Sequence, residues 1–314
     1  LTEQVVPLSV HFELLRPPKY MPELGPEAKG LVRTVDKADL ESFTLQNHLA
    51  AEVAYLSLFS IGMAHYMAED WDRAIACFNN ALSHTAERMP ALDQSTLYLY
   101  RGLAYTHKGD SNQAITDYSQ AIQFKPDYVM AYNNRGNAYA AKGDYNRAIA
   151  DYSQTIRLEP GCAVAYNDRA HAYAVKGDYA RAIADYNQFI KLKLDEATTY
   201  INRGDAYKDK GDYDRAVAEY HRAIPVKADL ANAYYNRGAA YVAEGDYDRA
   251  IADYDQAILL KSDLPEIYFD RAVAYKQRGE EEKAIVDFHK VLELSHDPLV
   301  LRQAGEQLKA LGAK

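Results

Sequence analysis

The chain has 314 residues, of which 48% are hydrophobic, and a formal net charge of −9 at pH 7. That acidic balance excludes the Lys/Arg-rich face needed to hold phosphates, so nucleic acid is not an expected partner. The two cysteines, Cys77 and Cys162, are too far apart in sequence to suggest a disulfide framework or a short-spaced zinc motif. The sequence opens on Leu1 rather than Met, which predicts a processed product or a fragment. Composition leaves the compartment open, cytoplasmic or extracytoplasmic after processing.

Residues 1–47 differ from the rest of the chain. Leu8, Val10, Phe12 and Leu14 alternate with Ser9, His11 and Glu13. A strict period of two predicts a half-buried strand, and residues 17–30 read as a Pro/Gly-rich loop. One strand cannot satisfy its own N–H and C=O groups. Three placements stay open: the last strand of an upstream domain, a strand added to a partner or to another copy, or an arm laid along the remainder of the chain. Leu49–Ala68 is apolar but carries Glu52, Ser57, Ser60 and His65 and joins directly to a repeat pattern. A span needs roughly 20 mostly apolar residues, so a buried helix is expected here and no membrane insertion.

From residue 55 the sequence repeats itself. Gly109, Gly143, Gly177, Gly211, Gly245 and Gly279 stand at a constant 34-residue spacing, which marks units at 95–128, 129–162, 163–196, 197–230, 231–264 and 265–298. A divergent unit at 55–94 makes seven and is six residues longer, predicting a long loop around His84–Asp93. In 129–162, Tyr132, Gly136, Tyr139 and Ala140 keep helical spacing, as do Ala148, Ile149, Tyr152 and Ile156. Gly143 ends the first helix and Asp144 is placed to cap the second. Small residues such as Gly136 and Ala148 let the helices approach, and tyrosines fill the space beside them. Leu299–Lys314 follows as a final helix, with Val300, Ala304, Leu308 and Leu311 on one stripe and Arg302, Glu306 and Lys309 facing away. Polar-backed helices of this kind cap solenoids.

The small residue, the tyrosine, the turn glycine, the alanine and the second aromatic of each unit resemble the tetratricopeptide repeat family, in an array of bacterial type. The resemblance covers residues 55–298. It implies an all-α, right-handed superhelix of helical hairpins whose concave face is built mainly by the first helices, with a short extended arm before it. It also implies a non-enzymatic scaffold that binds a protein or peptide in that groove. Two departures stand out. The family's proline near the unit end is kept only as Pro126 and Pro160, and Pro225 lies inside a second helix, where it should shorten or kink it.

Where the family has an aliphatic residue, six units carry Arg101, Arg135, Arg169, Arg203, Arg237 and Arg271. Sixteen residues later stand Asp117, Asp151, Asp185, Glu219, Asp253 and Asp287, while the divergent unit has Ile61 and Cys77 at these two places. Arginine and acid occur together or not at all, which predicts contact, within a unit or with the adjoining one.

Candidate binding residues form a column: Tyr100, Asn134, Asp168, Asn202, Asn236 and Asp270. It is similar to the asparagine ladder of O-linked N-acetylglucosamine transferase, whose amides grip a peptide backbone. Asp168 and Asp270 accept hydrogen bonds but do not donate them. Asn133, Asn137, Asn167, His171, Asp205, Lys208 and Tyr235 are neighbouring groove candidates. The lysines of the carboxylate clamp found in some relatives are absent, with Leu99, Asn133 and Asn167 in one required column. No phosphate loop or HExxH motif is present, and the nine histidines are scattered. Asp212 with Asp214, and Asp246 with Asp248, resemble half of a calcium loop but fall where helices start. No catalytic residue, metal or cofactor is expected. The rival to a peptide scaffold is a structural protein whose copies join head to tail into a filament, the Leu8–Leu14 strand docking on a neighbour. Deleting residues 1–30 should leave the far-ultraviolet circular dichroism and cooperative unfolding of the array unchanged, because repeats contact only their neighbours. Loss of cooperative unfolding would show that the arm belongs to the core.

Overall fold

Each unit folds as a helical hairpin because its small and apolar residues fall on one face of two helices, with a glycine between them. The computed structural model describes residues 43–85, 91–192, 197–226 and 230–313. The described residues form the helices α1 (Phe43–Met67), α2 (Trp71–Thr85), α3 (Ala91–His107), α4 (Ser111–Phe124) and α5 (Val129–Ala141). There follow α6 (Tyr145–Leu158), α7 (Ala163–Val175), α8 (Tyr179–Leu192), α9 (Ala197–Asp209) and α10 (Tyr213–Val226). The last five are α11 (Ala231–Glu244), α12 (Tyr247–Leu260), α13 (Pro265–Gln277), α14 (Glu281–Leu294) and α15 (Pro298–Ala310). No strand occurs among the described residues. The strand expected at Leu8, Val10, Phe12 and Leu14, and the loop at 17–30, lie outside them.

The turns work as the sequence suggests. The six spaced glycines have φ between 76° and 84°, a left-handed conformation that a side chain disfavours. Asp110, Asp144 and Asp246 then accept the backbone N–H of Gln113, Arg147 and Arg249 at 3.0–3.1 Å. Asp178 does the same for Arg181 at 3.2 Å. In the divergent unit Glu69 takes the glycine's place at φ 59°, and Asp70 caps Arg73 N at 3.2 Å.

Close approach of the two helices rests on one pair per unit. A Cβ added at Gly136 would lie 2.6 Å from Cε1 of Tyr152, and additions at Gly102, Gly204 and Gly238 would lie 2.7 Å from Tyr118, Tyr220 and Tyr254. These rings are at most 2% exposed and anchor the core at each hairpin. Hairpins then stack. The first helices α3, α5, α7, α9 and α11 each touch the next first helix, whereas a second helix packs mainly on its own partner and on the first helix that follows. First helices therefore form the inner layer of the solenoid. At the C-terminal end Ala304 and Leu308 of α15 are buried against Phe288 and Val291, with Val300 and Leu311 beside them. Arg302, Glu306 and Lys309 are exposed.

The structure corrects several expectations. Helix α1 begins at Phe43, inside the stretch assigned to the arm, and has 25 residues. No described helix is long and apolar enough to cross a membrane; Tyr55 and Tyr66 of α1 are buried with Phe78 and Leu97. Within the long loop expected over His84–Asp93, residues 84–85 and 91–93 are helix. Helix α2 runs to Thr85 and α3 starts at Ala91, with 86–90 outside the described residues. Helix α3 has 17 residues against 13 in α5, and both end two residues before the turn glycine. The surplus thus extends α3 at its N-terminal end, held by Leu97 at 0% exposure. Pro225 does not shorten α10, which has the same 14 residues as α6. It stands at the penultimate position, so its missing N–H removes one bond in the last turn only. Replacing Glu69 with Gly should stabilise the chain by about 1 kcal/mol by relieving the left-handed side chain. Gly143→Ala, where a Cβ meets nothing within 4 Å, should cost about 1–2 kcal/mol through the backbone alone. Urea unfolding measures both, and opposite signs are required.

Candidate functional site

The arginine column is a set of bridges. In five units Nε and Nη2 donate to the two carboxylate oxygens of the acid sixteen residues later, as in Arg135–Asp151 (2.8 and 2.8 Å) and Arg169–Asp185 (2.7 and 2.8 Å). Arg203 gives both to one oxygen of Glu219, Nε at 3.0 Å. The acids are buried, at 1% to 7% exposure, and burial pushes Asp117 up against the opposing pull of Arg101. The sequence does not announce the third donor. Nη1 crosses to the second helix of the preceding unit and meets Asn79 (2.7 Å), Ser119 (3.0 Å), Ser153 (2.9 Å), Asn187 (2.5 Å), His221 (3.3 Å) and Asp255 (2.5 Å). This column changes residue type at nearly every unit, so only its shared ability to accept a hydrogen bond could have revealed it. Tyrosines three positions earlier, Tyr132, Tyr166 and Tyr234 among them, lie 5.6–5.8 Å from the guanidinium carbons, within cation–π range.

The residues expected to form a binding column lie on successive first helices. Asn134, Asp168, Asn202, Asn236 and Asp270 are all half-buried on successive first helices, Asn137 and His171 are exposed, and Asp205, Lys208 and Tyr235 are half-buried. Several of these are already engaged. Asn236 Nδ2 donates to Asp205 Oδ1 at 2.9 Å, and Tyr235 OH donates to Asp270 Oδ2 at 2.7 Å. Asp205 also accepts Tyr220 OH at 2.6 Å and lies 3.8 Å from Lys208 Nζ. Asn134 and Asn202 have no hydrogen bond among the described residues. Burial holds Asp168, Asp205 and Asp270 above the ordinary carboxylate range.

Core and groove meet at the phenols. Tyr152 OH donates to Asn137 Oδ1 at 2.8 Å, and Tyr118 OH shares a hydrogen with Thr106 Oγ1 at 2.8 Å. Burial pushes both phenols well above their ordinary value. Where the corresponding first helix offers Met63 or Val273 instead of a polar side chain, the ring is Phe78 or Phe288. Tyr118 and Tyr254 keep the hydroxyl although Leu103 and Ala239 stand at that position, so the ring type does not follow the facing residue alone. Asp212 and Asp246 serve as helix caps bonded to Arg215 and Arg249. Among the described residues no three His, Cys, Asp or Glu side chains are grouped to hold a metal.

A solenoid of helical hairpins, each closed by a left-handed glycine and stapled to its predecessor, defines a helical-repeat interaction scaffold. Family models described as TPR repeat match residues 102–143, 204–244 and 238–279. Those described as tetratricopeptide repeat match 129–162, 163–196 and 265–297. The chain belongs to the tetratricopeptide repeat family. A tetratricopeptide repeat protein from Parabacteroides merdae is 20% identical over 82% of this chain and 99% of its own, with a TM-score of 0.61. The C-terminal part of a TPR repeat-containing protein from Cytophaga hutchinsonii is 18% identical over 78% and 98%, with a TM-score of 0.64. YrrB, described as a TPR protein with an unusual peptide-binding site, is 19% identical over 60% and 97%, with a TM-score of 0.51. No curated protein matches the chain.

Removing one member of a bridge leaves a buried charge without its partner. Arg169→Met should destabilise the chain by about 3–5 kcal/mol, and the double variant Arg169→Met, Asp185→Leu should recover most of it. Urea unfolding of the two variants checks this; equal losses in both would mean that packing, not charge pairing, is the source.

Proposed function

We propose that the inner face holds an extended segment of another polypeptide and that the chain catalyses no reaction. The observation that carries this is the row of half-buried amides and carboxylates on successive first helices, Asn134, Asp168, Asn202, Asn236 and Asp270. Asn137, His171, Asp205, Lys208 and Tyr235 lie beside it. An extended peptide presents N–H and C=O groups alternately. Asn134 and Asn202 can answer both, whereas Asp168 and Asp270 answer donors only. Asn236, whose N–H is given to Asp205, keeps its carbonyl oxygen as an acceptor. The peptide-binding site described for YrrB supports a peptide on such a scaffold. Head-to-tail assembly draws on the strand at Leu8–Leu14, outside the described residues, and on no contact in this structure.

The test uses an array of randomised unstructured 15-residue peptides and the fluorescently labelled full chain. The chain should bind a subset of sequences. The triple variant Asn134→Ala, Asn137→Ala, Asn202→Ala should lose about tenfold in affinity for that subset with unchanged helicity, a loss of about 1.4 kcal/mol. An array without bound spots, or a triple variant that binds as tightly as the parent, would sink the reading.

A further inference from the structure

The character of the inner layer changes along the array. At the position that carries Asn137 in α5, the two preceding first helices α1 and α3 carry Met63 and Leu103, and at the position of Asn134 helix α3 carries Tyr100. Phe59 and Tyr66 of α1 make edge-on contacts with the ring of Tyr100, at 5.7 and 6.2 Å between centroids. These contacts join successive first helices, as the Asn236–Asp205 bond does farther along. Phe59, Met63, Tyr100 and Leu103 are half-buried and pack over Tyr66, Phe78 and Leu97. Their exposed parts make an apolar shelf at the N-terminal end of the inner layer, where α5, α7 and α9 carry polar side chains at the same positions.

Two first helices beyond α3 stands a carboxylate without a cation. Asp168 of α7 is half-buried and has no ion pair among the described residues. Arg169, next to it in sequence, is given to Asp185 and Ser153. The groups close enough to act on Asp168 are Asn167, His171 and the phenols of Tyr152 and Tyr186, none of which carries a permanent positive charge. Asp205 differs, since Lys208 Nζ lies 3.8 Å away, and Asp270 holds the hydroxyl of Tyr235. Helix α5 touches both α3 and α7. Packed helices lie roughly 8–10 Å apart, which puts about 16–20 Å between the shelf on α3 and Asp168, the length of about five or six residues of extended chain.

We infer that the peptide held on the inner face is asymmetric: an aromatic or large aliphatic side chain rests on the shelf of Phe59, Met63, Tyr100 and Leu103, and a lysine or arginine about five or six residues away pairs with Asp168. This choice of peptide rests on the peptide-holding function proposed above. The shelf gains when apolar area is removed from water, and a half-buried carboxylate is stabilised by an opposite charge brought beside it. A net charge of −9 draws a cationic partner in the same sense. An acidic peptide would meet Asp168 with like charge.

The array of randomised 15-residue peptides, probed with the labelled full chain, tests this. Bound peptides should be enriched in an apolar and a basic residue separated by about five or six positions. Two substitutions install residues that neighbouring units already carry at the same positions: Leu103→Asn, matching Asn137, and Asp168→Asn, matching Asn134 and Asn202. Leu103→Asn should lose about 5–10-fold in affinity and the preference for the apolar residue, while keeping the preference for the basic one. Asp168→Asn should lose about 3–10-fold and the basic preference alone. Circular dichroism checks that both variants keep their helicity; if either loses it, the preferences of the parent chain decide. Bound peptides without this pairing, or variants that keep the parent's preferences, overturn the asymmetric peptide and leave the peptide-holding function standing. An array without bound spots overturns both.

Discussion

The structure depends on a guanidinium whose three nitrogens have separate jobs. Nε and Nη2 close a hairpin on its own buried acid, and Nη1 fastens that hairpin to the one before. Units of a solenoid are stable only through their neighbours, so a residue that serves both the hairpin and the junction sets register along the whole array. Only arginine offers a rigid planar fork with donors in three directions; a lysine ammonium would satisfy the acid and miss the junction. Burying the pair is tolerable because every nitrogen has a partner, as in Arg169, which reaches Asp185 and Ser153 together.

The same economy links the core to the groove. Gly136 lets Tyr152 pack against the first helix, and the ring's length brings its hydroxyl out to Asn137 on the inner side. A residue that fills the core therefore orients a residue of the candidate binding surface. Asp205 shows the fuller form, held by Tyr220 from its own hairpin and by Asn236 from the next. The inner face is a surface whose polar groups are held by the packing beneath them.

The ends of the array are built differently because a bridge needs two units. In the first unit Ile61 replaces the arginine and is 49% exposed, and Cys77 replaces the acid. No described helix precedes α1 for a guanidinium to reach. At the other end α15 supplies no hairpin, only a buried stripe and a charged back, with Lys276 Nζ donating to Gln307 Oε1 at 2.9 Å.

Hairpin architecture, turn positions, helix caps and the pairing of arginine with acid were legible from residues alone. Each is a short-range or periodic feature: left-handed glycine, capping aspartate, helical spacing, and the joint presence of two charges at a fixed offset. The extended α3 was not legible, because local propensity does not choose between helix and loop over 91–93 and burial of Leu97 holds its first turns. The effect of Pro225 depended on where the helix ends, which a propensity does not locate to one residue. The third arm of each arginine and the engagement of Asn236 and Asp270 were decided only by stacking. A column that alternates serine, asparagine, histidine and aspartate has no common pattern until neighbouring units bring a donor to it. In the same way, an asparagine ladder read from spacing becomes two open amides and one committed amide once hydrogen-bond partners from different hairpins lie within 3 Å.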